Sequence, residues 1–346
     1  MTQITLASAV RPPLPTKVIV TRALAGAILS LTAIWLVVNA VAGPSQFFAA
    51  AVAGLNNGAL YALVALGYTM VYGIIQLINF AHGDLFMLGT LFSALLITTV
   101  FGQAGPGPVA WVVFAFTLVA TMAFCGVVNV AIEFLAYRRL RRAPRLAPLI
   151  TAIGMSFVLQ QIGLQWNGSM PRQWPSVLPG GGFVIGGVHI SYKLLIVVAL
   201  AVPLLLIMRW LVARTRQGKA MRATSQDQDA TRLMGIDVNR TISFTFLLGG
   251  ALAGAAGVMY QQTIASTRYD LGFQLGLIAF TAAVLGGIGN LTGAVLGGVL
   301  IGLIQGINDG APYGLGQKWS QSVVFSILIL LLVFRPAGLL GSPTEE

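Results

Sequence analysis

The nine residues QLINFAHGD concentrate polar and ionisable groups inside the apolar part of the chain. His82 and Asp84 flank Gly83, and Asn79 lies three residues before His82. An ionisable side chain at membrane depth is a functional candidate by default, because a charge in lipid is costly. The pair could relay protons, supply half of a metal site or form a structural turn at a hinge or gate. The hinge or gate is the favoured reading, and no metal is expected because His189 is far away in sequence.

A second polar stretch, residues 209–240, separates two long apolar runs and reads RWLVARTRQGKAMRATSQDQDATRLMGIDVNR. It holds seven basic and three acidic residues. Lysine and arginine in a short loop between membrane spans place that loop in the cytoplasm. A polar loop of this length that contains its own folding signals indicates a segment that contacts another protein.

A capped helix is predicted in this loop from Gln226 to Met234. Ser225 is the expected N-cap, with Gln228 as its capping-box partner. Gly235 stands where a left-handed C-terminal cap is needed. The helix is expected to present an apolar edge outside the bilayer. The residues predicted to couple it to a partner are Arg222, Asp227, Ala230, Leu233, Met234 and Gly235.

Composition identifies a polytopic membrane protein. Hydrophobic residues make up 57% of the 346 residues, the mean hydropathy is +0.86 and 8% of residues are charged. The net charge of +11 comes from loops that flank apolar blocks, which is a topology signal and argues against nucleic-acid binding. One cysteine, Cys125, excludes a disulfide framework within the chain and is expected to be a small core residue.

The fold class expected is an all-α membrane protein with about ten transmembrane helices. A span needs roughly 20 apolar residues. The apolar blocks run 23–42, 47–72, 85–101, 109–136, 146–166, 192–212, 241–264, 271–285, 294–307 and 320–334. With the arginine-rich loop 138–145 and the loop 209–240 inside, both termini are cytoplasmic and sixteen of the twenty basic residues face inward. This topology puts His82 and Asp84 near the inner surface, within reach of water or backbone carbonyls.

The ends and two of the blocks are less regular. Blocks 271–285 and 294–307 are short for a 30 Å core and are expected to be tilted, broken or re-entrant. Residues 1–22 form a predicted cytoplasmic leader, 23–341 a transmembrane domain with a cytoplasmic loop at 214–240, and 342–346 a cytoplasmic tail. The end of the first block resembles a signal-peptide cleavage site, but the long polar leader and the topology favour retention.

Small and polar residues inside the spans predict packing and a path. Glycines at four-residue spacing, as at Gly54 and Gly58 or Gly302 and Gly306, predict close helix contacts. Ser156 and Gln160 share one helix face, which must point at protein or water. For such residues, hydrogen bonding between helices and lining of a translocation path are equally compatible with the sequence. The candidates for a translocation path are Asn56, Asn57, Tyr61, Ser156 and Gln160.

No phosphate-binding loop is present, since Gly218-Lys219 is followed by Ala220. A nucleophile motif and a His/Cys metal spacing are missing as well. ATP-driven transport would therefore need hydrolysis by another chain.

Four blocks of sequence resemble the branched-chain amino acid ABC-transporter permeases, H-type subunit. They lie at residues 54–89, 222–240, 280–298 and 335–341, within a likeness that runs from about residue 47 to 341. The resemblance implies a type II-like importer with two permeases, usually a heterodimer, two cytoplasmic ATPases and a periplasmic substrate-binding protein in the bacterial inner membrane. It also implies that the short helix is the coupling segment and that partner subunits, not this chain, use ATP.

Three other functions stay open at this point. Related permeases carry urea or short amides, and INFAHGD favours the amino-acid branch. A proton-coupled secondary transporter would use His82 and Asp84 as a relay. A membrane enzyme is disfavoured because no catalytic constellation is present in the sequence.

Overall fold

The computed structural model describes residues 16–76, 79–102, 105–141, 143–144, 146–335 and 337–341, with the backbone alone for 16–25, 28 and 29. Most of this part is helical. The helices are α1 (Thr16–Ala42), α2 (Pro44–Ile75), α3 (Ala81–Leu95), α4 (Ala110–Ile132), α5 (Leu146–Asn167), α6 (Tyr192–Arg214), α7 (Arg216–Gln226), α8 (Gln228–Leu233), α9 (Val238–Ile264), α10 (Leu271–Gly286), α11 (Leu291–Gly310) and α12 (Ser320–Phe334). A π-helical turn, Leu96–Val100, continues α3, and the turns Glu133–Tyr137 and Arg138–Leu140 continue α4.

All ten predicted apolar blocks are helical, which confirms the all-α membrane fold. Eight helices of the described chain are long and apolar enough to cross a membrane, so the count of ten is not confirmed. The apolar part of α1, Ser30–Ala42, and the 16-residue α10 are shorter. At 1.5 Å per residue, α10 extends about 24 Å, less than the ~30 Å core. The other block expected to be short, 294–307, lies in α11, which has 20 residues and is long enough to cross a membrane.

The predicted leader and tail lie largely outside the described residues. Residues 1–15 and 342–346 are not described. The backbone is already helical from Thr16, so α1 begins seven residues before the apolar block expected at Ala23.

Four short strands border the spans. They are β1 (Arg172–Gln173), β2 (Gly182–Ile185), β3 (Val188–Ser191) and β4 (Ser266–Thr267). β2 and β3 form an antiparallel hairpin between α5 and α6, and β1 pairs with β4. The amide oxygen of Gln262 accepts hydrogen bonds from the backbone of Val177 (2.9 Å) and Leu178 (3.3 Å), which fixes this connection to the end of α9.

Three helices form the centre of the bundle. In the most apolar 18-residue stretch of α2, 83% of the residues are buried inside the protein, and the share is 72% in both α3 and α9. The corresponding values are 17% in α6 and 11% in α12. The peripheral helices therefore leave most of their apolar surface for lipid or partner subunits.

Glycine backbones allow α2 and α11 to touch. A Cβ added at Gly54 would lie 2.7 Å from the carbonyl oxygen of Gly302, and one at Gly306 would lie 2.6 Å from the carbonyl oxygen of Ala50. A Cβ at Gly298 would lie 2.5 Å from the backbone of Ala62. The predicted close packing through these glycines is confirmed.

The contact between α4 and α9 follows the same rule. A Cβ at Gly254 would lie 2.7 Å from the carbonyl oxygen of Thr121. Cys125 is fully buried in this contact, and its thiol donates to the carbonyl of Leu85 at 3.4 Å. The prediction that Cys125 is a small core residue is confirmed.

Gly302→Ala is expected to lower the free energy of unfolding by about 1–3 kcal/mol, because the new methyl group overlaps the backbone of α2. Gly26→Ala is the matched control, since a Cβ there meets nothing within 4 Å. Thermal unfolding of the purified protein in detergent measures both variants. Equal melting temperatures for the two variants would show that α2 and α11 are not held by this contact.

Candidate functional site

The polar loop between α6 and α9 folds as two helices, α7 and α8. Asp227 separates them and caps α8, because its carboxylate accepts hydrogen bonds from the amides of Asp229 (2.8 Å) and Ala230 (2.9 Å). The predicted N-cap at Ser225 is wrong. Ser225 lies in the last turn of α7, where its hydroxyl donates to the carbonyl of Arg222 at 2.8 Å. The predicted helix 226–234 is therefore shorter and starts two residues later.

The other end of α8 has the predicted cap. Gly235 has a φ of +78°, and the amide of Ile236 donates to the carbonyl of Thr231 at 3.3 Å. A left-handed residue of this kind closes a helix by satisfying its last carbonyls. The cap turns the chain directly into α9.

The α8 edge is the most exposed apolar surface of this loop. Leu233 is 88% exposed and Met234 is 81% exposed, and Ala230 lies exposed beside them. An adjacent pair of large apolar side chains outside the spans favours a partner surface. The coupling residues predicted on α8 are thus available for contact.

α7 is fixed to the bundle. The Thr215 side chain caps it by accepting from the amide of Gly218 at 3.0 Å, and Met221 is 2% exposed. A Cβ at Gly218 would meet the backbone of Val212 in α6, so the two helices turn tightly on each other. The connection from α6 through α7 to α8 is therefore short and tightly packed.

The hinge candidate Asp84 and the path candidates of α5 meet at the start of α3. Asp84 is fully buried, and its carboxylate accepts a hydrogen bond from the hydroxyl of Ser156 in α5. Gln160 donates to the same hydroxyl at 3.1 Å. Water or backbone carbonyls were the partners expected for His82 and Asp84; the two residues are 1% and 0% exposed, so bulk water does not reach them. They lie inside the protein, since α3 begins within the bundle and not at its edge.

Gly83 brings α3 against α10. A Cβ at Gly83 would lie 2.6 Å from the Cα of Gly276, and the carbonyl of Gly272 is closer still. The neighbouring Asn79 accepts a hydrogen bond from the hydroxyl of Tyr137 at 2.8 Å. The four hinge candidates therefore lie where α3, α4, α5 and α10 converge.

His82 packs against an aromatic ring and a neighbouring backbone segment. Its ring lies 4.7 Å from the ring of Tyr68 in an edge arrangement, with the backbone of Val64 nearby. Neither imidazole nitrogen has a hydrogen-bond partner of standard geometry in the described chain. The structure gives no hydrogen bond from His82 to Asp84 within the described residues.

The path candidates on α2 form a separate group. The hydroxyl of Tyr61 donates to the side-chain oxygen of Gln305 in α11 at 2.6 Å. Asn56 and Asn57 are half-buried, and the amide oxygen of Asn56 has no partner among the described residues. Sequence spacing had not indicated Gln305, because the contact spans 244 residues.

A buried carboxylate that sequence reasoning missed lies at the end of α4. Glu133 is fully buried and pairs with Arg138 at 2.9 Å and with Arg141. Ser243 of α9 donates to the same carboxylate at 2.7 Å, and Arg141 donates to Asn239 at 2.8 Å. These contacts fix α4 to the start of α9, directly after the coupling segment. The sequence signal that could have identified Glu133 is that it is a lone acidic residue within an apolar run.

The described residues contain no group of three or more His, Cys, Asp or Glu side chains able to hold a metal ion. His82 and Asp84 are the ionisable pair nearest the hinge, and two groups alone make an incomplete set for a structural metal.

A family model for the branched-chain amino acid transport system permease component matches residues 50–333. This range contains every candidate residue described above. The chain belongs to this permease family. It is a permease subunit of an importer and a multi-pass membrane protein, and the predicted resemblance is confirmed.

Two curated relatives cover nearly the whole permease. The high-affinity branched-chain amino acid transport system permease protein BraD of Pseudomonas aeruginosa is 41% identical over 300 residues, which are 85% of this chain and 95% of the relative. The high-affinity branched-chain amino acid transport system permease protein LivH of Escherichia coli K12 is 36% identical over 298 residues. These are 85% of this chain and 95% of that relative. The solved PsaBC structure from Streptococcus pneumoniae has 14% identity and a TM-score of 0.38 over 84% of this chain and 90% of that one, too low a score to carry an argument.

The Glu133 contacts generate a stability prediction for the permease. Glu133→Gln leaves two arginines without their buried carboxylate and is expected to lower the free energy of unfolding by about 3 kcal/mol. Asp229→Asn breaks the exposed Arg232–Asp229 pair and is the matched control, with an expected change below about 1 kcal/mol. Denaturant or thermal unfolding in detergent compares them, and a similar loss in both variants would contradict an anchoring role for Glu133.

Proposed function

We propose that this permease is the transmembrane subunit of an ATP-driven importer of branched-chain or related amino acids. Two cytoplasmic ATPase subunits, a second permease that forms a heterodimer with this one, and a periplasmic substrate-binding protein complete the importer in the inner membrane. Both termini lie in the cytoplasm. The chain itself binds no cofactor and hydrolyses no ATP. The names and identities of the full-length relatives support the cargo class.

The exposed apolar edge of α8 is the observation that carries this proposal. Leu233 and Met234 lack apolar partners within the described chain, and the loop that holds them is rich in basic residues. The positive charge supports a cytoplasmic position, where a groove on an ATPase would cover the edge. Closure of two ATPases on ATP would move α8, and α7 and α9 would carry that motion into the bundle.

Transport measurements separate this proposal from a proton-coupled transporter. Uptake of radiolabelled leucine into vesicles that contain the assembled importer is expected to require ATP and to persist when the proton gradient is abolished. Urea and a short amide, offered as competitors, test the alternative cargo. Uptake that continues without ATP and stops with the proton gradient would reject an ATP-driven importer.

The coupling role predicts a selective loss of ATPase binding. Leu233→Asp places a charge in the proposed contact and is expected to weaken co-purification of the ATPase at least about tenfold. Gly235→Val is expected to act in the same direction, because valine at a φ of +78° strains the cap. Val184→Asp, in the β2–β3 hairpin that precedes α6, is a 65% exposed control and should leave binding unchanged. If both loop variants insert normally into the membrane and still co-purify with as much ATPase as the unmodified permease, α8 has no coupling role.

The packing of His82 predicts a structural role at the hinge. His82→Gln keeps a polar side chain of similar size and is expected to retain most of the leucine uptake, because the imidazole makes no standard hydrogen bond in the described chain. Uptake by the assembled importer, normalised to the amount of permease in the membrane, measures the effect. Complete loss of uptake at normal expression would favour a proton relay.

The outward face of α5 supports a path beside the second permease. Gly154, Val158, Gln161 and Gln165 are exposed and follow one another at spacings of four, three and four, which keeps them on one stripe. Glutamine facing lipid is unfavourable, so this stripe faces water or protein. In α4, by contrast, the polar side chains Thr117, Thr121 and Asn129 are all buried. Behind the stripe, Ser156 and Gln160 connect α5 to Asp84 and the hinge.

Cysteine labelling tests the position of this stripe. Gln161→Cys in the assembled importer is expected to react with a water-soluble maleimide, whereas Val119→Cys on the exposed apolar face of α4 is expected to stay unlabelled. The native Cys125 is fully buried and gives a low background. Equal labelling of the two positions would remove α5 from the path.

A further inference from the structure

An open cavity of about 730 Å³ lies between α2, α6, α7 and the turn that leads into α11. This volume is in the range of small-molecule sites, which are mostly apolar with a few polar groups. Met70 and Ile74 of α2, Met221 of α7 and Leu291 of α11 supply apolar wall. The cavity lies at the end of the bundle that carries the coupling segment.

The charged groups of the cavity wall are all positive. Arg209 and Arg222 line it, and its lining contains no aspartate or glutamate. Neither arginine forms an ion pair within the described part of the chain. Arg222 donates to the carbonyl of Val212, which positions its guanidinium but uses one of five N–H groups. The remaining donors are suited to a carboxylate or phosphate.

Two further features of the wall favour an anion. Leu291 and Thr292 are the first residues of the 20-residue helix α11, whose amino-terminal end carries partial positive charge. Thr69 also lines the cavity, is 1% exposed, and its hydroxyl has no hydrogen-bond partner in the described chain. A buried hydroxyl of this kind is costly until a ligand or water satisfies it.

We propose that this cavity binds a small amphipathic anion. A carboxylate or phosphate head lies between Arg209, Arg222 and the start of α11, and an aliphatic body lies against Met70, Ile74 and Met221. The absence of a lining carboxylate disfavours a ligand that carries an ammonium group, because that charge would lack a partner. A branched 2-oxo acid has the required chemistry.

Such a ligand would restrain the coupling segment. Met221, Arg222 and Ser225 are residues of α7, and they form one wall of the cavity opposite Thr69 and Gly73 of α2. A bound anion therefore connects α7 to α2 and α11 and opposes movement of α7 relative to the bundle. The site would make transport sensitive to the anion concentration on the side of the membrane where α7 lies.

Binding to the purified full-length permease in lipid nanodiscs tests the site without any transport step. Equilibrium dialysis with radiolabelled 4-methyl-2-oxopentanoate is expected to show saturable binding to one site. Leucine should bind at least about tenfold more weakly, and 4-methylpentanamide should not compete, since it lacks the negative charge. Inorganic phosphate is expected to compete, because it can occupy the position of the ligand's carboxylate between Arg209 and Arg222. Because ATPase and binding protein are absent, failure of the importer proposal would leave this result unaffected.

Variants locate the bound anion. Arg209→Gln is expected to weaken binding at least about tenfold and Thr69→Val a few-fold, while Arg216→Gln is the control, because it is exposed on α7 but does not line the cavity. Equal affinity in the Arg209 and Arg216 variants would overturn the proposal. Circular dichroism confirms that each variant is folded.

Discussion

Close contact between glycine backbones holds the centre of this permease together. Lipid tails are as apolar as the side chains they surround, so spans associate through van der Waals packing and hydrogen bonds, with little hydrophobic driving force. Gly54 and Gly302 let α2 and α11 touch at the backbone, and Gly254 does the same for α9 against α4. The central position of α2 and α9 depends on these approaches.

The same close packing explains how polar residues are tolerated at depth. Gly83, Gly272 and Gly276 bring α3 and α10 together, and Asp84 is enclosed at that crossing. An enclosed carboxylate requires a donor, which Ser156 of α5 provides. Asp84 and the α5 path candidates Ser156 and Gln160 thus form one hydrogen-bonded junction, whereas Tyr61 belongs to a different contact with Gln305.

The proposed coupling region, α7 and α8, combines an exposed apolar edge with a buried base. Leu233 and Met234 are exposed, while Met221 of α7 is buried and Glu133 anchors the start of α9 through Ser243. A segment fixed on both sides can transmit displacement, because its ends cannot relax independently. The cavity between α7, α2 and α11 lies beside this base, so the proposed ligand would contact the same packed helix α7.

The sequence by itself determined the helical membrane class, the positions of the apolar helices and the left-handed cap at Gly235. These features depend on local hydropathy and on backbone preferences within a few residues. It misplaced the start of α8, because Ser225 and Asp227 are both good caps and the packing of α7 against α6 decided between them. Only the tertiary structure decided that Asp84 meets Ser156, that Glu133 meets Ser243 and that Arg209 and Arg222 share a cavity with Thr69. Helical periodicity sets which residues share a face, but the pairing of faces depends on where glycine allows two distant backbones to cross.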